Sequence, residues 1–414
     1  MGPIALFDKS FLQSVSVDES VWFDHFFLAV ICPIFYVETL ADLAKEPSKR
    51  GPPEIIVREI AQKFPEMGGS PCVFHNEMCI NDLLGYHVPM DGRVPRPGAC
   101  AVKSGTIFDQ SSEEIAFQRW QRGQFHEVER LSAANWRHQL ASLDLTVFAK
   151  ELRTLGIDGK TCKSLEQARD LARSVVTGRD KVHSRLAFAA QVFQAPSQVH
   201  PRILAAWTQA GQPTLDTFAP YAAFVLSIEV FFQFALAAGL IAAERPSNRT
   251  DIAYLFYLPF STIFVSSDNL HRRCAHLFMR RNQEFVWGID LKAALKEMNA
   301  DFLKLPESER DKGIIGFGRS PPEGNLVATL WDRYMRKGYR EAPNRKRDPE
   351  RDAELLRKLK SFTKQPTLSP EEAAAQQEDE MLSIQRRVSR KRGSWWQVPK
   401  DLPDDPKDDS GAGV

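Results

Sequence analysis

A chain of 414 residues is longer than one ordinary core accommodates, so two or three units are expected. Apolar residues at 43% and charged residues at 26% match globular usage and exclude collagen-like, wholly disordered and polytopic membrane classes. With 54 Lys and Arg against 53 Asp and Glu, no global positive field draws in nucleic acid, so any such site must be local.

The six cysteines (Cys32, Cys72, Cys79, Cys100, Cys162, Cys274) form no CxxC pair, which fits free thiols in a reducing compartment. The opening residues show no charged leader or cleavage site, and the expected location is cytoplasmic. Residues 4–7, IALF, read as a short buried strand that ends at Asp8 and turns through Lys9 and Ser10. Asp18 is placed to cap a helix whose apolar face is Val21, Trp22, Phe26 and Val30. Pro33 interrupts that pattern, and a further helix carries Glu38 and Asp42 on its polar side.

After a proline-rich break at 47–54, residues 51–215 read as a mainly helical insertion with few strand-like runs. The longest apolar stretch, 219–243, follows. Thr250 and Asp251 then open a short helix, TIFVSS (262–267) is a buried strand running into Asp268, and FVWGI (285–289) is another strand before a helix. The expected division is a discontinuous domain of 1–50 and 216–305, the insertion at 51–215, an irregular extension at 306–340 and a charged, disordered tail at 341–414.

Ligands of open parallel α/β sheets bind beyond the carboxyl ends of the strands, so Asp8 and Asp268 are expected to be neighbours. Glu38, on a helix after the first strand, and Asp251, on the helix feeding the later one, can join them. Four packed carboxylates repel one another and are costly to desolvate without a hard cation between them, which implies Mg²⁺ or Mn²⁺. Asp42, one turn beyond Glu38, is a reserve ligand. Ser266 and Ser267 are candidates to orient a carboxylate or water, and His271, Arg272 and Arg273 to hold a substrate phosphate.

These residues resemble the PIN-like nuclease family. Asp8 and Ser10 in FDKS resemble the family's opening Asp-x-Ser or Asp-x-Asn, and YVETLADL places Glu38 where the family's helix carries a glutamate. In TDIAYLFYLPFSTIFVSSDNL, the 17-residue step from Asp251 to Asp268 resembles the family's Asp, helix, strand and hydroxyl-x-Asp ending. The match covers roughly residues 1–46 and 245–300. The resemblance implies an α/β fold with a PIN-like parallel sheet flanked by helices. It also implies Asp8, Glu38, Asp251 and Asp268 as catalytic metal ligands supported by Ser10, and metal-dependent phosphodiester hydrolysis, in RNA more than DNA. The insertion or the tail is expected to meet any protein partner.

Each carboxylate also has a plain structural reading, as a turn residue, a helix-terminal charge or a solvated face. The alternative function is therefore a PIN-like module that binds nucleic acid or protein without catalysis. The 219–243 run is long enough to span a bilayer, but Glu229 and Gln233 in its middle favour a buried helix. Cys72, His75, Cys79, His87 and Cys100 lack zinc-site spacing, and Gly313, Gly316 and Gly318 lack the Lys-Ser/Thr of a P-loop. Arg119, Trp120, Arg122, Trp136 and Arg137 interleave charge with aromatic rings, as core tryptophans beside exposed arginines do and as base-stacking surfaces also do. The run from Arg386 to Arg392, with Trp395 and Trp396 after it, reads as a solvated tail or a partner arm.

Overall fold

The computed structural model describes residues 2–339 and 388–401, except 48, 50, 103–104, 109–110, 155, 157, 315–319 and 336, and without side chains at 99–108 and 148. The expectations for Gly316, Gly318, Arg386, the Cys100 thiol and the rest of the tail lie outside the described residues. The strands in chain order are β1 (Ile4–Phe7), β2 (Leu28–Ile31), β3 (Gly69–Pro71), β4 (Ala99–Val102), β5 (Gly105–Phe108), β6 (Ile263–Ser266), β7 (Glu284–Trp287), β8 (Lys391–Arg392) and β9 (Trp395–Trp396).

Five of them make one parallel sheet in the order β3-β2-β1-β6-β7, flanked by helices, while β4–β5 and β8–β9 are separate antiparallel pairs. The central strand β1 sets Leu6 opposite Val30 of β2 on one side and Phe264 of β6 on the other. Its sequence is continuously apolar because helices cover both faces of a parallel sheet, and Ala5, Leu6 and Phe7 are wholly buried.

Within the parallel sheet, two strands depart from the sequence reading. The helix expected to run through Val30 ends at Phe26, and Leu28–Ile31 is β2. Four consecutive apolar residues carry neither helical nor strand periodicity, so pattern alone cannot place them. That helix is also opened by Ser16 rather than Asp18: the Ser16 hydroxyl accepts from the Glu19 N–H, and the Glu19 carboxylate accepts from the Ser16 N–H at 2.7 Å. The edge strand β3 falls inside the stretch read as insertion. Its sequence is Gly-Ser-Pro, residues tolerated at a sheet edge but giving no strand signal.

Between β3 and β6 the described residues are mainly helical, with the β4–β5 hairpin added. The helix Pro220–Ala237 is long and apolar enough to cross a membrane by length and composition. Here most of it is buried, packed on helices His75–Leu83, Leu145–Thr154 and Leu165–Thr177. Its first turn is held by the Asp82 carboxylate, which accepts from the N–H groups of Tyr221 and Ala222 at 2.8 and 3.0 Å. Glu229 on the same helix pairs with Arg249 at 2.6 Å.

Residues 388–401 fold back onto the sheet domain, against the expectation of a wholly disordered tail. Arg392 is buried, with its guanidinium 3.0 Å from the Asp24 carboxylate. Asp24 also accepts from the N–H groups of Glu66, Met67 and Gly68. Trp395 is fully buried against Trp22, and both indoles donate to Asn299 Oδ1. The high charge of the surrounding sequence conceals this anchor, whose buried aromatic side chain is Trp395. Arg392→Ala strands the Asp24 carboxylate in the interior, and a loss of about 3–5 kcal/mol in unfolding free energy is expected from urea denaturation. An unchanged midpoint would show that the segment does not dock.

Candidate active site

The strand order changes direction between β1 and β6, the kind of switch point at whose carboxyl ends α/β ligands bind. Asp8 follows β1 and caps helix Lys9–Ser14, Oδ1 accepting from the Phe11 N–H at 2.9 Å. Its Oδ2 accepts from the hydroxyls of Ser10 at 2.6 Å and Ser266 at 2.7 Å. Asp268 caps helix Asn269–Cys274 through Oδ1, which accepts from the N–H groups of Leu270 at 2.6 Å and His271 at 3.3 Å. Each strand-end aspartate is thus oriented by the orphan donors of a helix start.

His271, expected to hold substrate phosphate, points inward and is completely buried. Its Nε2 lies 2.6 Å from the Asp251 carbonyl oxygen, which only accepts, so that nitrogen carries a proton. Its Nδ1 lies 2.7 Å from Ser266 Oγ and 3.4 Å from Asp8 Oδ2. Ser266 has one hydroxyl proton, and with that proton on Asp8 Oδ2 the Nδ1 faces two acceptors, an arrangement that favours the doubly protonated ring. Burial alone would lower its pKa, but hydrogen bonding and charge from Asp8, with the charge of Asp251, raise it to about 9. Burial likewise pulls the Asp8 pKa up, and His271, Ser10 and the Phe11 N–H outweigh it, leaving that carboxyl below its ordinary value.

The next two residues behave differently. Arg272 is exposed, its guanidinium 4.9 Å over the Trp287 ring, and Arg273 donates to the Leu240 carbonyl at 2.8 Å. Glu38 comes from helix Pro33–Ala41 and accepts from the Tyr254 hydroxyl. Burial raises its pKa, against the Lys9 charge and the Tyr254 bond. The carboxylate of Asp251, from helix Asn248–Ala253, has no hydrogen-bond partner among the described residues. Burial and the charges of Glu38, Asp268 and Asp8 lift its pKa to about 7, against the pull of His271.

Asp42, the reserve ligand, is instead bridged by Lys9 and Lys45, each at 2.7 Å. Trp120 is core, stacked on Tyr36, whereas Trp136 remains part-exposed. The Ser267 hydroxyl is buried without a partner among the described residues. A Cβ at position 288 would stand 2.3 Å from that oxygen, so glycine lets helix Gly288–Phe302 begin this close.

Among the described residues, no three His, Cys, Asp or Glu side chains are grouped as ligands of a metal ion. The donor chemistry nevertheless suits a hard divalent cation. Asp251 offers both oxygens, Glu38 its Oε1, Asp268 its Oδ2 and Asp8 one lone pair on Oδ1, since the bonds above use the others. The zinc pattern yields only buried free thiols at Cys72 and Cys79, with His75 Nδ1 3.2 Å from the Tyr257 hydroxyl.

Sequence reasoning overlooked Tyr254 and Lys9 and misplaced His271. Tyr254 and His271 stand three residues after Asp251 and Asp268, a helical spacing that returns them toward the same site. Comparison with known protein families, curated proteins and solved structures finds no match to this chain.

Folding raises the His271 pKa from 6.5 to about 9, so the stability its proton contributes is complete below about 6.5 and lost as pH rises through about 9. Asp251, also raised, destabilises in the same direction as pH climbs through about 7. Unfolding free energy in chelator is expected to fall by on the order of 3 kcal/mol from pH 6.5 to 9, and His271→Gln to flatten the upper part of that slope. Denaturation across a pH series measures it, and a level wild-type profile rules out the buried imidazolium.

Proposed function

We propose that this chain is a PIN-like nuclease that hydrolyses phosphodiester bonds, in RNA more than DNA, with Mg²⁺ or Mn²⁺ bound beyond β1 and β6. The observation that carries the reading is Asp251, a carboxyl without a protein partner among the described residues, raised to about 7 by burial beside three other carboxylates. Such uncompensated charge destabilises the fold, and groups perturbed in this way concentrate at functional sites. The parallel α/β architecture, interrupted by a helical insertion, agrees with the resemblance.

In this reading Glu38, Asp251 and Asp268 hold the cation, and Asp8 joins them directly or through water. When bound, the cation supplies an acidified water as nucleophile and offsets charge on the leaving oxygen. Ser10, Ser266 and His271 fix the Asp8 carboxylate. Lys9 donates to the Glu38 carbonyl at 3.0 Å and draws Asp42 away from the cluster. The Ser267 hydroxyl orients a water or the Asp268 carboxylate, and exposed Arg272 and Arg273 receive the substrate backbone. No protein nucleophile is needed.

A second reading, a binding module without catalysis, is favoured by the imidazolium that already accompanies Asp8. The two separate in one experiment. Mn²⁺ titration of a nuclease should raise the melting temperature and start cleavage of labelled RNA, whereas stabilisation without cleavage leaves the binding module. Asp251→Asn should abolish cleavage by about a thousandfold or more while stabilising the metal-free protein at pH 8 by on the order of 2 kcal/mol. Undiminished cleavage in that variant would remove the proposed site.

A further inference from the structure

A cavity of about 510 Å³, within the range of ligand pockets, opens between the insertion and the helices that carry two of the carboxylates. Thr250 and Ala253 in its wall bracket Asp251, and Val37 precedes Glu38, so its lining runs to within one residue of both. Three aromatic residues line it: Phe74 from the loop after β3, and Trp136 and Phe193 from the insertion. Phe74 is 42% exposed, unusual for a phenylalanine in a well-packed chain. The side-chain amides of Asn76 and Gln139 also line the space and have no hydrogen-bond partner among the described residues.

The charges in the cavity favour a neutral occupant. Glu229 and Arg249 neutralise one another at 2.6 Å, and burial, with the charge of Arg249, drives the His75 pKa down to about 3. Nothing there offers an uncompensated cation to a phosphate. Aromatic faces beside free amide donors and acceptors instead match a flat, neutral heterocycle with polar edges. Bases meet that description only when unpaired, since pairing occupies their edges and duplex stacking their faces.

We propose that this cavity is a nucleobase subsite, which makes the substrate single-stranded at a nucleotide next to the scissile phosphate. The location rests on the nuclease reading; the class of occupant rests on the cavity's own lining. Trp136 supplies the stacking face, and Asn76 and Gln139 contact the base edge.

The test measures fluorescence anisotropy of a labelled short oligouridylate, with Ca²⁺ in place of Mn²⁺, and uses a duplex and an abasic strand of the same length as comparisons. Trp136→Ala is expected to weaken oligouridylate binding about 5- to 100-fold, with Trp136→Phe retaining most of it. The abasic strand and the duplex should bind the wild-type protein more weakly by a similar factor, and Trp136→Ala should weaken the abasic strand no further. Equal affinity for normal and abasic strands overturns the subsite without recourse to any variant, as does absence of oligouridylate binding. Cleavage with Mn²⁺ is scored separately. Base-dependent binding without cleavage removes the nuclease reading and keeps the subsite, whereas cleavage with base-independent binding does the reverse.

Discussion

The carboxylate of Asp8 lies at the end of the central strand, only 3% exposed, where water cannot solvate it, and the site is arranged around meeting that charge. His271 meets it from across the β1–β6 junction while its other nitrogen holds the Asp251 carbonyl. One buried ring therefore ties together the end of β1, the helix after β6 and the helix that presents Asp251. The charge balance then has a definite remainder. Asp8, Glu38, Asp42, Asp251 and Asp268 are five carboxylates facing three cations, His271, Lys9 and Lys45, leaving a deficit of two positive charges when all are ionised. Burial first, and then that deficit, raise the pKa of Asp251, and in the proposed reading one divalent cation would supply the missing charge.

How much of this the sequence discloses follows from the kind of signal each element carries. Strands β1, β6 and β7 are legible because short apolar runs end in Asp, Ser or Gly. Strand β2 is not, since Leu28–Ile31 follows an apolar helix without a polar break, and β3 is too short and too rich in Gly and Pro to register. The four carboxylates are legible because each is placed by chain-local logic, at a strand end or a helix turn. His271 is not: a basic residue after a strand is usually solvated, and only the adjacency of β1 and β6 makes its position the inside of the site. Asp42 shows the same limitation, because its helical spacing from Glu38 is visible but the reach of Lys9 from the first strand is not. The docking of Arg392 on Asp24 depends on a contact across 368 positions that no local pattern encodes.

The placement of the insertion is itself constrained. The chain leaves the sheet after β3 at one edge and returns at β6 beyond β1, so the connection must pass β2 and β1 before the sheet resumes. A stretch this long needs a core to pack on, and helix Pro220–Ala237, which follows it, provides one by being apolar around nearly its whole circumference, with helices packed on several sides. Where that helix carries charge, at Glu229, it pairs with Arg249, two residues before Asp251. On the other side, helix Glu127–Ser142 packs against helix Pro33–Ala41, which carries Glu38. Helices outside the sheet thus contact both helices that bring carboxylates in from beyond the strand ends, whereas Asp8 and Asp268 stand at the strand ends and are oriented by the helix starts that follow them. Positional control of the cluster is divided in this way: the strand ends place one pair of charges, and the packing of helices Glu127–Ser142 and Pro220–Ala237 on the helices of Glu38 and Asp251 places the other.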